Sequence, residues 1–162
     1  MNSFVQYLDQ FNVLSPNHAK IYDEYTQSTD QYRFAIDTNI ERFLLTLFNE
    51  DPRSVIMTGN AGDGKTRLCR TIYERITGQQ LLQWPDSGIL EASFNKGTLR
   101  IVKDLSELTD AVIFQELQLL QQMIAEEHEN RLYYLIAANE GKLTKFLSQH
   151  HELLTLSQMV NK

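Results

Sequence analysis

Apolar residues recur along this chain at two periods, one that fits helices and one that fits strands buried on both faces. Phe4, Val5, Leu8 and Phe11 share a helical face, and Ser15-Pro16 supplies a start signal for a second short helix running to Tyr25. A polar loop spans Thr26 to Gln31. Ile36, Ile40, Phe43, Leu44 and Leu47 then repeat at helical intervals up to the break at Asp51-Pro52, with Thr38 and Glu41 at capping-box spacing. This helix leads into the apolar run Ser54-Val55-Ile56-Met57-Thr58, which reads as a strand.

A glycine-rich loop follows that strand, and after it Leu68, Cys69, Ile72, Tyr73 and Ile76 line one side of a helix that should stop at Gly78, where a left-handed cap is easiest. Residues 79–97 carry Leu81-Leu82, Trp84-Pro85 and two further glycines, so they predict a short strand or an irregular connection. The pattern sharpens at Leu99 to Asp104, a strand ending in a carboxylate. Ile113, Leu117, Leu120 and Ile124 predict a long helix from about Thr109 to His128. Leu132 to Ala138 is apolar on both faces, as a central strand of a parallel sheet would be, and helix resumes from roughly Leu143 to the end. Strands alternating with helices predict an α/β domain with a parallel sheet flanked by helices. Residues 1–35 form a separate N-terminal helical segment in this reading, either a docking arm or a cap on the sheet, and 36–162 form the core.

Composition narrows the partners. A 162-residue chain with 42% hydrophobic residues has the size of one domain. The net charge of −6 and a pI near 5.2 argue against a broad basic surface for duplex DNA, so any nucleic acid is held indirectly through a partner or in a groove. The single cysteine, Cys69, cannot form an internal disulfide, and no cationic segment with an apolar stretch and cleavage site opens the chain, which together predict a cytoplasmic address. No apolar run approaches the roughly 20 residues needed to cross a bilayer.

The chemistry centres on Gly59-Asn60-Ala61-Gly62-Asp63-Gly64-Lys65-Thr66. Glycines at 59, 62 and 64 let backbone N–H groups converge on anionic oxygens, and the helix that follows points its positive end at the same place. Lys65 adds a charge that can reach the β and γ phosphates, and the Thr66 hydroxyl stands where it can ligate Mg²⁺. The pattern has both neighbours it needs, a strand before and an amphipathic helix after. Hydrolysis asks for more, a carboxylate for Mg²⁺ and a group to orient water. Asp104, at the end of a strand, is the candidate metal-side carboxylate, with capping of the next turn as its alternative role. Glu107 is the nearest acid after Asp104 and the candidate base. Asn139 ends the next strand. A competing register takes Leu135 to Glu140 as the metal-side strand, with Glu140 as the catalytic base. Other residues point less clearly. His150-His151 read as solvated surface, Cys69 as a small core residue, Trp84 as a loop anchor or an adenine platform, and Glu126, Glu127 and Glu129 as a solvated helix end.

Val55 to Thr58 with GNAGDGKT, Lys103-Asp104-Leu105-Ser106 and Ala137-Ala138-Asn139-Glu140-Gly141-Lys142-Leu143 together resemble the P-loop NTPases of the AAA+ and STAND classes. Within these the chain looks like the ATPases of bacterial antiviral defence and DNA-restriction systems, including the phosphorothioation-dependent type, over about residues 36–147. The resemblance implies a P-loop NTPase core that binds ATP and Mg²⁺, with Asp104 in the Walker B position and Asn139 in the sensor-1 position. It also implies other subunits of a defence or DNA-processing complex, or copies of this chain, as partners. The AAA+ class carries a glutamate where Leu105 stands, and continues past sensor 1 to an arginine finger, a further strand and a helical lid. The expectation is therefore a core lacking a lid, either a fragment or a short protein that borrows parts, with slow or partner-dependent hydrolysis. No N-K-x-D motif for guanine is present, which favours ATP over GTP. Two other readings stand beside it, a nucleotide-gated interaction module without turnover and a small-molecule or nucleoside kinase.

Overall fold

The computed structural model describes residues 38–125 and 131–160. The sequence readings for residues 1–37 and for Glu126, Glu127 and Glu129 lie outside them. Helix α1 (Asn39–Glu50) starts where the capping spacing predicts, with Thr38 Oγ1 accepting the Glu41 N–H at 3.2 Å. Strand β1 (Val55–Gly59) precedes the glycine-rich loop, and helix α2 (Lys65–Thr77) follows it. Gly78 ends α2 in the left-handed region at φ 68°, donating its N–H to the Glu74 carbonyl. Strands β2 (Ile89–Phe94) and β3 (Gly97–Val102), helix α3 (Asp110–Ala125), strand β4 (Leu132–Asn139) and helices α4 (Glu140–Gln149) and α5 (Leu154–Val160) complete the order.

The four strands form one sheet in the order β1-β4-β3-β2. β4 lies parallel to both β1 and β3, whereas β2 runs antiparallel to β3. The fold is thus α/β with a mixed, mostly parallel sheet, a correction to the expected parallel one. Its cause is local. Asn95-Lys96 makes a two-residue hairpin, and Gly97, at φ 152°, lets the chain press against the neighbouring strand, since a side chain there would collide with the Arg131 carbonyl oxygen.

Period-two alternation along β4 sets the layers. Tyr134, Ile136 and Ala138 face Ile113, Leu117 and Leu120 of α3 and Leu143, Phe146 and Leu147 of α4, all buried. Leu135 and Ala137 face the other way, onto Leu44 and Phe48 of α1 and Cys69 and Ile72 of α2. Helices therefore cover both faces of the sheet, and the strand that is apolar on both faces lies between two others. No described helix is long and apolar enough to cross a membrane.

Two helix boundaries differ from the expected ones. α4 begins at Glu140 rather than Leu143, because the Asn139 side chain accepts the Lys142 N–H at 3.1 Å and caps it. The C-terminal helix is broken at His150, whose ring stacks on Phe146 at 4.1 Å and contacts the Phe146 carbonyl through Nδ1. His150 is a half-buried packing residue rather than solvated surface.

Candidate functional site

Parallel pairing brings the carboxyl ends of β1, β3 and β4 to one edge of the sheet, where side chains in open α/β folds meet their ligands. Gly59 at the end of β1 stands in direct register with Asn139 at the end of β4. The loop 60–64 springs from this point into α2, with Gly62 at φ 88° and Gly64 at φ 76° in the left-handed region that glycine adopts without strain. No side chain caps the first turn of α2. Its leading N–H groups and the positive end of the helix are thus offered to an anion.

Within the loop, Lys65 Nζ donates to the Asn60 carbonyl at 2.6 Å, and the Asp63 carboxylate accepts the Asn60 N–H at 2.6 Å. Asn60, Ala61, Gly62, Asp63 and Gly64 are exposed, and Gly59, Lys65 and Thr66 are half-buried. The Thr66 hydroxyl lies 3.5 Å from the carbonyl oxygen of Lys103, the residue before Asp104. Asp104 is close enough to the buried Cys69 that its charge adds to burial in pushing that thiol up to about 12. The loop helix and the end of β3 are therefore neighbours, and the Thr66 side chain reaches the backbone of the residue before Asp104.

Asp104 caps a single 3₁₀ turn, Leu105–Glu107. Its Oδ1 accepts both the N–H and the hydroxyl of Ser106, the N–H at 2.7 Å. The capping role is thus real, and the second carboxylate oxygen has no part in it. Leu105 is 2% exposed, turned into the core. Glu107 is half-exposed and its carboxylate meets the buried Lys103 Nζ at 2.8 Å. Asn139 and Glu140 are exposed. Glu140 lines a cavity of about 400 Å³ beside β1, together with Ser54, Ile56, Thr58, Thr144 and Leu156. Of the two acids proposed as bases, Glu107 is thus paired with a lysine, while Glu140 is exposed and lines that cavity.

Trp84 is 5% exposed in the core against α1 and α2, with its indole N–H buried and unpartnered, so it is a packed anchor and offers no face for stacking a base. Cys69 is a core residue as expected. The sequence reading included Lys142 and Ser106 in its motifs but gave neither a role of its own. Lys142 Nζ donates to the Ser106 carbonyl at 2.7 Å, which closes a run of hydrogen bonds from Asn139 through Lys142 and Ser106 to Asp104. Asp-x-Ser is a recognisable side-chain capping pattern and gave a signal for Ser106. For Lys142, 36 residues distant, local pattern gives none.

The site is a glycine-rich helix N-terminus with one lysine, a hydroxyl and a carboxylate at the edge of a mixed α/β sheet. Comparison with protein-family models, with curated proteins and with solved structures found no match for this chain.

Proposed function

We propose that residues 59–66 bind the phosphates of ATP as a P-loop, and that the chain is the ATPase core of a bacterial antiviral defence or DNA-restriction complex. The observation that carries this is convergence. The GNAGDGKT loop, Asp104 and Asn139 are distant in sequence, yet Gly59 is in register with Asn139 and Thr66 lies against Lys103. The uncapped first turn of α2 and the glycines supply N–H donors for phosphate, and Lys65 needs only to leave a carbonyl of its own loop to reach one. Thr66 and Asp104 are hard oxygen donors suited to Mg²⁺, which would complete its shell with phosphate oxygens and water. When bound, Mg²⁺ would neutralise charge on the phosphates. Asn139, its side-chain oxygen spent on capping, keeps an amide N–H₂ for a phosphate or a water.

Hydrolysis is slow or depends on other subunits. Leu105 is buried where the AAA+ class has its glutamate, and Glu107 is held by Lys103. These two facts equally favour the second reading, a nucleotide-gated interaction module in which the ATP-bound loop recruits a partner without turnover. Calorimetric titration of ATP and Mg²⁺ into wild type and Lys65→Ala, followed by a phosphate-release assay, tests both. Binding by wild type alone supports the loop assignment. Steady turnover by the isolated chain would defeat partner dependence, and absence of binding would defeat the proposal.

A further inference from the structure

The Asp63 carboxylate lies across the loop that holds phosphate in the reading above. Its Oδ2 accepts the Asn60 N–H at 2.6 Å, while the Asp63 N–H reaches the Asn60 carbonyl at 3.4 Å. That same carbonyl accepts Lys65 Nζ at 2.6 Å. A methyl group built on Gly59 would stand 2.5 Å from Asp63 Oδ2 and 3.6 Å from Lys65 Nζ, so both charged tips hang over Gly59. A backbone donor of the loop already holds an anion, and the loop's cation is engaged on the loop's own backbone.

We propose that Asp63 is a built-in competitor for polyphosphate, an autoinhibitory contact that a nucleotide must displace from the Asn60 N–H before the loop can close on it. This rests on the nucleotide reading and adds regulation to it. One N–H cannot serve a carboxylate and a phosphate oxygen with full strength, and the two anions repel over the few ångströms that separate them. The contact is suited to exchange, because Asn60 and Asp63 are exposed and lie three residues apart, so releasing it exposes no apolar surface. Lys65 Nζ, held on the Asn60 carbonyl, must leave as well before it can meet a phosphate. An apparent affinity is then the intrinsic one reduced by the fraction of loops already open.

The test is calorimetric titration of ATP and of pyrophosphate, without Mg²⁺, into wild type, Asp63→Ala and Asp63→Asn, each checked for fold by circular dichroism. Asp63→Ala should bind both ligands about tenfold more tightly, the scale of one charge-assisted contact. Asp63→Asn, which keeps an acceptor and loses the charge, should fall between it and wild type. Wild-type binding with equal or weaker binding by both folded variants would overturn the competitor role and leave the nucleotide reading intact. Failure of all three proteins to bind either ligand would overturn the nucleotide reading and the competitor with it.

Discussion

Two charged clusters in this protein are built on opposite principles. In the first, Glu91, Arg100 and Tyr134 stand in register across β2, β3 and β4, and Glu116 of α3 comes down onto the row. Arg100 meets Glu116 through two bonds, Nε to Oε2 at 2.8 Å and Nη2 to Oε1 at 2.7 Å, and the Tyr134 hydroxyl donates to the same carboxylate at 3.2 Å. Its partners lie 16 and 18 residues apart in sequence, and Glu116 is 7% exposed. The second cluster, exposed Asn60 and Asp63 with half-buried Lys65, is bonded within six residues of chain. A buried, long-range network must break for the domain to open, whereas a local, hydrated one can rearrange while the domain stays folded. Charge alone therefore does not mark a site here; what marks it is how easily the partners can be exchanged.

The largest expected effect tests the rigid side of that contrast. Glu116→Ala should cost about 3 kcal/mol in urea denaturation, because it leaves the Arg100 guanidinium and the Tyr134 hydroxyl without their shared acceptor. Burial and the Glu116 charge hold the Tyr134 phenol above its ordinary range, and the bond to Glu116 holds the Arg100 guanidinium above its own. Asp63→Ala should change stability by less than about 0.5 kcal/mol, as exposed substitutions do. Similar losses for the two variants would dissolve the distinction.

On the exchangeable side, Asp104→Asn keeps an oxygen to cap Ser106 and removes the charge that would meet Mg²⁺. ATP affinity without Mg²⁺ should stay near wild type, while the tightening caused by Mg²⁺ should fall about tenfold or more. Glu140→Gln, at the cavity beside β1, should leave that tightening in place. The reverse result would move the metal-side role to the β4 strand end, the competing register.

Much of this contrast could be read in the sequence, though unevenly. Leu132 to Ala138 announced a central strand because both faces of β4 are covered, and GNAGDGKT announced its turn because left-handed backbone at Gly62 and Gly64 demands glycine. β2 escaped a firm reading because it is a short edge strand whose middle residues, Glu91-Ala92-Ser93, are weak strand formers. Its antiparallel direction followed from a two-residue turn whose glycine comes afterwards, at 97. Within the site the loop and Asp104 were legible as residue types in order. The contacts of Asp104 with Ser106 and of Glu107 with Lys103 lie within the reach of local spacing, two and four residues away, whereas the Lys142 bond to Ser106 and the place of Glu140 at the cavity beside β1 come from tertiary packing that no local spacing encodes.

Cys69 sharpens the comparison from inside the core, next to the loop helix. Burial first, and the Asp104 charge second, push its thiol from an ordinary 9.0 up to about 12. The folded state thus keeps the proton longer than the unfolded chain. Stability from this group is fully present below pH 9 and is lost as pH rises towards 12, at roughly 1.4 kcal/mol per pH unit within that window. Denaturation at pH 8, 9 and 10 should show a steeper decline in wild type than in Cys69→Ala, which has no thiol to titrate. Parallel declines would mean that the thiol is hydrated in the folded state and that the packing between α2 and the end of β3 is looser than the structure has it.

The smallest effect concerns the residue that joins the two kinds of construction. Lys142 is long-range and half-buried like the Arg100 network, yet its Nζ reaches the turn on which Asp104 depends. Lys142→Met keeps the aliphatic stem and removes one hydrogen bond, so stability should fall by only about 1 kcal/mol. If the bond to Ser106 also fixes where Asp104 points, the Mg²⁺-dependent tightening of ATP should drop several-fold while Mg²⁺-free affinity holds. Lys142→Arg, which can still donate to the Ser106 carbonyl, should recover part of the loss. A variant that keeps the whole Mg²⁺ effect would show that β3 alone sets Asp104. The bonds from Asn139 to Asp104 would then belong with the Arg100 network, as fasteners of the fold.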